Sequence, residues 1–163
     1  MVDPLWYYDG NVLTHRNFGF DERRAKLNRF LRDPGNYDCL VFGSSRATWL
    51  PESALRPYRC SNLAFSAGQP EEFIAFAEYL RDRGVRPQYL VVGVDGFNFQ
   101  AGARDPLSIP DYVLGKSPPP SPLATYLSID ALRMSFRVLF DQMNSPGYYD
   151  GNFDKQVSAR APH

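Results

Sequence analysis

Two hydroxyls and a guanidinium follow directly on a short apolar run in the first third of the chain. The run covers residues 40–42, and Gly43, Ser44, Ser45 and Arg46 come next. An unbroken apolar run bounded by turn residues predicts a strand buried on both faces, as in the middle of a parallel sheet. A serine beyond the end of such a strand can act as a nucleophile, because backbone N–H groups there can hold a developing oxyanion. The alternative is a plain strand-to-helix turn in which a serine caps the helix.

Two later strands are predicted to end in a similar way. The second covers residues 58–64 and leads into a loop of small residues that contains Gly68. The third covers residues 88–95, is again apolar through its middle, and ends on Asp95 with Asn98 nearby. Because the carboxyl ends of parallel strands share one edge of a sheet, we expect the three loops to meet.

Segments with helical periodicity lie before, between and after these strands. Helices are predicted over residues 22–32, 70–83 and 128–143. The last helix carries an apolar stripe that we expect to face the core. This stripe consists of Leu132, Phe136, Leu139, Phe140 and Met143. The recurrence of strand, loop and helix predicts an α/β fold with a parallel sheet and right-handed crossovers.

The composition indicates one globular domain with a real core. The chain has 163 residues, of which 44% are hydrophobic and 22% charged. Lys and Arg number 18, as do Asp and Glu, so the formal net charge is zero. A neutral chain has no whole-molecule attraction to nucleic acid or anionic lipid, so no nucleic-acid partner is expected.

The cysteines and histidines do not suggest a metal site. Cys39 and Cys60 lie in or beside predicted strands, so two buried thiols are expected, and a disulfide is the alternative if those strands are neighbours. The cysteine spacing fits no zinc motif, and the two histidines are His15 and His163. No metal or organic cofactor is implied.

The remaining segments have little periodicity. Residues 1–20 are interpreted as an irregular arm and residues 148–163 as an irregular tail. The proline-rich stretch 101–122 is either a lid over the strand ends or a surface loop. No apolar run approaches the roughly 20 residues that span a bilayer, and the N-terminus has no signal-peptide pattern.

Taken in order, three segments of the chain resemble the front half of the SGNH/GDSL hydrolase superfamily. They are residues 43–46 (Gly-Ser-Ser-Arg), 62–68 (Asn-Leu-Ala-Phe-Ser-Ala-Gly) and 92–95 (Val-Gly-Val-Asp). The chain looks most like the bacterial membrane-anchored branch that is associated with surface polysaccharides. Its opening, residues 2–4 (Val-Asp-Pro), is similar to the segment that follows the anchor in that branch.

The resemblance covers roughly residues 1–100 and implies a fold and a location. The implied fold is a three-layer, flavodoxin-like parallel sheet of the SGNH hydrolase type, flanked by helices and incomplete. Residues 1–36 would form an N-terminal arm and helix, and residues 37–163 an SGNH-like α/β domain truncated at its C-terminus. The implied location is extracytoplasmic, in the bacterial periplasm or cell envelope, with a membrane anchor in a longer parent protein.

The resemblance also implies a catalytic serine. The family's Gly-Asp-Ser aligns with residues 43–45, which makes Ser45 the nucleophile and puts Ser44 in the place of the usual Asp. The implied oxyanion hole uses the N–H of Ser45, the N–H of Gly68 and an Asn side chain. Three such donors would stabilise a tetrahedral acyl intermediate.

The third donor departs from the family pattern. Asp95 aligns with the expected Asn, and a carboxylate there repels an oxyanion unless it is protonated. Asn98 is close in sequence and is the candidate substitute. Around these groups, Ser44, Arg46 and Asn62 are expected to support the site.

The family's Asp-x-x-His motif has no counterpart in this chain. The residue three positions before His163 is Arg160, not an acid. A serine without a base is a poor nucleophile, so we expect this chain alone to lack esterase activity. Two explanations stay open: a fragment whose catalytic histidine lies beyond residue 163, favoured by the irregular tail, or a non-catalytic relative.

The implied function is a serine esterase or O-acyltransferase that acts on acylated glycans or other esters through a Ser45 acyl-enzyme. The alternative is a non-catalytic module that binds polysaccharide or a protein partner for assembly or export. A flavodoxin-like anion or nucleotide binder is a third option, and the absence of a Gly-rich phosphate fingerprint counts against it.

Overall fold

The computed structural model describes residues 2–99, 107–140 and 147–157. The chain divides into two compact units. We call Met1–Arg32 with Pro120–His163 the arm unit, and Asp33–Pro119 the sheet unit. The sequence pattern did not anticipate that the C-terminal segment groups with the N-terminal arm; the division at residue 36 stays a prediction. Mixed α/β architecture with a parallel sheet is confirmed.

The sheet unit is built on three parallel strands in the order β2-β1-β3. Strand β1 is Cys39–Phe42, β2 is Cys60–Asn62 and β3 is Tyr89–Val92. All four residues of β1 are buried, as the apolar run predicts for a central strand. All four residues of β3, an edge strand, are exposed, although its sequence is just as apolar.

Helix α2, Pro70–Asp82, covers the sheet unit's core. Proline opens the helix, and a capping box joins Gln69 to Glu72, whose carboxylate accepts the Gln69 N–H at 3.0 Å. The other Glu72 oxygen accepts the N–H of Ser108 at 3.1 Å. This fully buried carboxylate therefore attaches the described part of the proline-rich stretch to the start of α2. Residues 100–106 lie outside the described residues.

The two cysteines form a disulfide between β1 and β2. Cys39 and Cys60 are directly opposite each other in the parallel register, and both are buried. The expectation of two free thiols is wrong, because the register brings both side chains to the same place. The sequence predicted the strands, but only their pairing order decides that these positions are neighbours.

We expect removal of this disulfide to lower the free energy of unfolding of the sheet unit by about 3 kcal/mol. The crosslink closes a loop of 21 residues, and opening it returns conformational freedom to the unfolded chain. The measurement is urea denaturation of the double variant Cys39→Ala/Cys60→Ala against the oxidised parent. Reduced parent should match the double variant; equal midpoints for oxidised and reduced protein would contradict the prediction.

The arm unit contains helix α1, Glu22–Arg32, helix α3, Pro122–Tyr126, and helix α4, Ile129–Phe140. It also contains an antiparallel hairpin of β4, Gly147–Tyr149, and β5, Lys155–Val157, where the sequence suggested only an irregular tail. These strands are three residues long and lack alternation, so no periodic signal announces them.

Aromatic packing holds the hairpin onto α1. Tyr149 stacks on Phe153 with ring centroids 4.7 Å apart, and both belong to a buried cluster with Trp6 and Ala25. The Tyr149 hydroxyl donates to Glu22 at 2.6 Å. Burial, reinforced by that carboxylate, raises the pKa of Tyr149 far above its usual range, so the hydroxyl stays protonated and keeps donating.

The orientation predicted for the last helix is wrong. The residues of α4 that are buried are Ala131 and Val138. The described members of the predicted stripe, which are Leu132, Phe136, Leu139 and Phe140, are exposed. The side chains that face inward are small or β-branched, and the larger apolar side chains face outward. Met143 lies outside the described residues.

No helix in the described ranges is long and apolar enough to cross a bilayer. The disulfide is compatible with an oxidising, extracytoplasmic compartment, where such bonds form and persist.

Candidate functional site

Glycines bring the three strand-end loops of the sheet unit into direct contact. A Cβ placed on Gly68 would lie 2.7 Å from the carbonyl oxygen of Gly43, and a Cβ on Gly43 would lie 2.5 Å from the Cβ of Ala47. A Cβ on Gly43 would also lie 3.3 Å from the carbonyl oxygen of Gly93. Side chains at these positions would keep the loops apart, so the glycines are what allows the loops to meet.

Ser44 and Asp95 join the loops that follow β1 and β3. Ser44 is buried, and its hydroxyl donates to Asp95 Oδ2. The other oxygen of Asp95 lies 3.4 Å from Nη1 of Arg46, whose side chain is exposed. The Asp95 carboxylate therefore lies between a hydroxyl and a guanidinium.

Asn98 joins the loops that follow β2 and β3. It is buried in a 3₁₀ turn, Gly96–Phe99, and its Nδ2 donates to the carbonyl of Gly68 at 3.3 Å. Its Oδ1 accepts the N–H of Asp95 at 2.7 Å. Asn98 therefore contacts the loop after β2 through the carbonyl of Gly68, and its role as the substitute oxyanion donor stays a prediction.

Ser45 is exposed on the loop after β1. Its carbonyl accepts the hydroxyl of Thr48 at 2.6 Å, which ties the loop back to the 3₁₀ turn Ala47–Trp49. No described residue forms a hydrogen bond with Ser45 Oγ, so the hydroxyl is open to solvent. An accessible hydroxyl beside packed backbone is what a nucleophile requires, and also what an ordinary surface serine has.

Asn62 positions the segment that follows Ser45. Its Nδ2 donates to the carbonyls of Ala47 and Leu50, each at 2.8 Å, and its Oδ1 accepts the N–H of Ala64 at 3.0 Å. Every group of this nine-tenths buried amide is engaged. Asn62 therefore holds the backbone of residues 47–50, and its supporting role in a site stays a prediction.

The predicted oxyanion donors are only partly open. The N–H of Gly68 donates to the carbonyl of Phe65 at 3.2 Å, which closes the turn after β2. The Nδ2 group of Asn98 donates to the carbonyl of Gly68 at 3.3 Å. The role of Gly68 and Asp95 as oxyanion donors stays a prediction.

The sheet unit has no histidine to serve as a general base. Residues 33–119 contain no histidine, since His15 belongs to the arm unit and His163 lies outside the described residues. Asp95 is held by Ser44 and Arg46 rather than by Ser45. Among the described residues, no group of three or more His, Cys, Asp or Glu side chains could hold a metal ion.

Sequence reasoning selected the candidate residues but not how they are connected. The Ser44–Asp95 and Asn98–Gly68 hydrogen bonds join residues that are 51 and 30 positions apart along the chain. No local pattern could have indicated either pairing. The sequence did indicate the close glycine contacts, because each of the three loops begins with or contains a glycine.

The chain matches no known protein-family model, and comparisons with curated proteins and with solved structures found no significant match. Function is therefore inferred from the residues and their geometry.

Proposed function

We propose that the strand-end site of the sheet unit is an acyl-transfer site of the SGNH type, in which Ser45 is the nucleophile. The observation that carries the proposal is the exposed Ser45 hydroxyl, on a loop that packs against Gly68 and is joined to Asp95 by Ser44. The proposed substrates are acylated cell-surface glycans or related esters. The proposed setting is the bacterial periplasm or cell envelope, with a membrane anchor supplied by a longer parent protein; the disulfide supports an extracytoplasmic location.

The chemistry assigns one role to each group. Ser45 Oγ attacks the ester carbonyl carbon, a C–O bond forms, and the carbonyl oxygen becomes an oxyanion. The Ser45 N–H and the Asn98 side-chain amide are the groups proposed to stabilise that charge. The bond to the alcohol then breaks, and the alcohol leaves with a proton while Ser45 keeps the acyl group. The Ser45 proton needs a base, and residues 33–119 contain no histidine to take it.

Chemical rescue tests this proposal. We expect imidazole, a soluble base, to permit acetylation of Ser45 by p-nitrophenyl acetate, read as an acetyl adduct on the Ser45 peptide by mass spectrometry. The adduct should form roughly tenfold or more faster with imidazole than without it, since a general base contributes about 10²–10⁴-fold when well positioned. Ser45→Ala should abolish it, and Ser53→Ala, which removes another exposed serine hydroxyl of the sheet unit, should not.

Two outcomes would contradict the proposal or its chemistry. If imidazole produces no Ser45 adduct, or the Ser53 peptide is acetylated equally, Ser45 has no special reactivity and the acyl-transfer proposal fails. Ready turnover without imidazole that Ser45→Ala abolishes would show that a base is already present, against the expectation that this chain alone is inactive.

The second candidate function is a non-catalytic module for binding or assembly. The lack of a histidine in residues 33–119 favours this candidate. The exposed apolar strand β3 also favours it, because it offers an uncovered apolar surface. Retained binding of an acetylated polysaccharide by Ser45→Ala, together with a failed imidazole rescue, is the result expected of such a module.

A further inference from the structure

The two edges of the three-stranded sheet differ in whether other described residues contact them. At the β2 edge, the N–H of Asn62 donates to the Glu52 carboxylate at 3.0 Å, and the 3₁₀ turn Glu52–Leu55 packs alongside. At the β3 edge, no described residue pairs with the strand. Exposed edge strands usually carry a lysine, a proline or a bulge that prevents pairing, and residues 88–94 of this chain contain no charge and no proline.

The hydrogen bonds to β1 show which backbone groups of β3 are free. The N–H of Tyr89 donates to the Asp38 carbonyl at 3.1 Å, and the N–H of Gly93 donates to the Phe42 carbonyl at 2.8 Å. The backbone N–H and C=O groups of successive residues point to opposite sides of a strand. Those of Leu90 and Val92 therefore point away from β1. Their side chains are 54% and 45% exposed, and that of Val91, on the opposite face, is 39% exposed.

We propose that β3 pairs antiparallel with β3 of a second copy of this chain, forming a two-fold dimer with a continuous six-stranded sheet. This proposal is independent of the acyl-transfer function. A two-fold interface requires a self-complementary surface. The outward groups of Leu90 and Val92 supply one: Leu90 of each copy faces Val92 of the other, and Val91 faces Val91 across the axis.

Side-chain size and charge agree with that register. Tyr89 of one copy lies opposite Gly93 of the other, so two large side chains do not meet at this pair. The strand is preceded by Arg86 and followed by Asp95. An antiparallel pair therefore brings opposite charges near each other at both ends, and no like charges meet along its length.

Charge substitution at the axis tests the proposal. We expect sedimentation velocity over roughly 1–100 µM to show a concentration-dependent dimer, since one strand pair makes a small interface. Val91→Lys and Val91→Glu should each be monomeric, because each places two like charges opposite one another. An equimolar mixture of the two should form a heterodimer, which a merely unfolded variant could not do. Ile74→Lys, an exposed apolar position on α2, should dimerise like the parent.

Hydrogen exchange on the parent gives a second readout that needs no variant. The amides of Leu90 and Val92 should exchange fast in dilute protein and at least tenfold slower in concentrated protein, while that of Val91 should be protected at both concentrations. Three results would overturn the proposal: a monomer throughout, a dimer indifferent to both Val91 variants, or amides of Leu90 and Val92 that do not respond to concentration.

Discussion

Replacing Asn62 by aspartate is expected to lower the free energy of unfolding of the sheet unit by about 4 kcal/mol. The Asn62 amide donates to two carbonyls, Ala47 and Leu50, each at 2.8 Å. An aspartate of the same shape can accept but cannot donate, so it faces two carbonyl oxygens with a buried negative charge or takes up a proton at a cost. In either protonation state, the segment that follows Ser45 loses the hydrogen bonds that Asn62 makes to it.

Two further variants separate the causes of this loss. Asn62→Ala removes the same hydrogen bonds without adding a charge, and we expect it to cost about 2 kcal/mol, roughly half as much. Asn152→Asp makes the same change on an exposed side chain and should cost under about 0.5 kcal/mol. The measurement is urea denaturation of each variant. An Asn62→Asp protein as stable as the parent would show that the amide does not hold residues 47–50.

Replacing Asp3 by alanine is expected to lower the free energy of unfolding of the arm unit by about 4 kcal/mol. The Asp3 carboxylate is fully buried. It accepts the N–H of Tyr7 at 3.1 Å, of Tyr8 at 2.7 Å and of Gly10 at 3.1 Å, and the hydroxyl of Tyr126. Alanine leaves several buried donors without an acceptor, and each such donor costs about 1–3 kcal/mol.

The matched control for Asp3 is another aspartate of the same arm. Asp9→Ala removes a carboxylate whose side chain is 74% exposed and which pairs with Arg32, so we expect a change of under about 1 kcal/mol. Fluorescence of the buried Trp6 and hydrogen exchange at residues 7, 8 and 10 follow the arm unit specifically. Unchanged exchange at those three amides in Asp3→Ala would contradict this account of the arm.

Local sequence patterns were enough to predict the strands and the helix that position the site. The apolar run at residues 40–42 predicted β1, and the spacing of apolar residues together with a proline and two acids predicted α2 to within one residue of its end. These signals are local: a buried strand and a capped amphipathic helix are each specified by neighbours along the chain. The same reasoning placed Ser44, Gly68 and Asp95 at one sheet edge, where the structure joins their loops.

The contacts between those elements and side chains could not be predicted, because they depend on residues that are distant along the chain. Whether Cys39 and Cys60 pair depends on which strands are neighbours, and the apolar sequence of β3 could not reveal that the strand lies at an edge. The stripe of α4 was predicted inward for the same reason, since periodicity marks a face but not what covers it. The contacts of Asn98 and Asp95 likewise join residues distant along the chain, and local sequence carries no information about such partners.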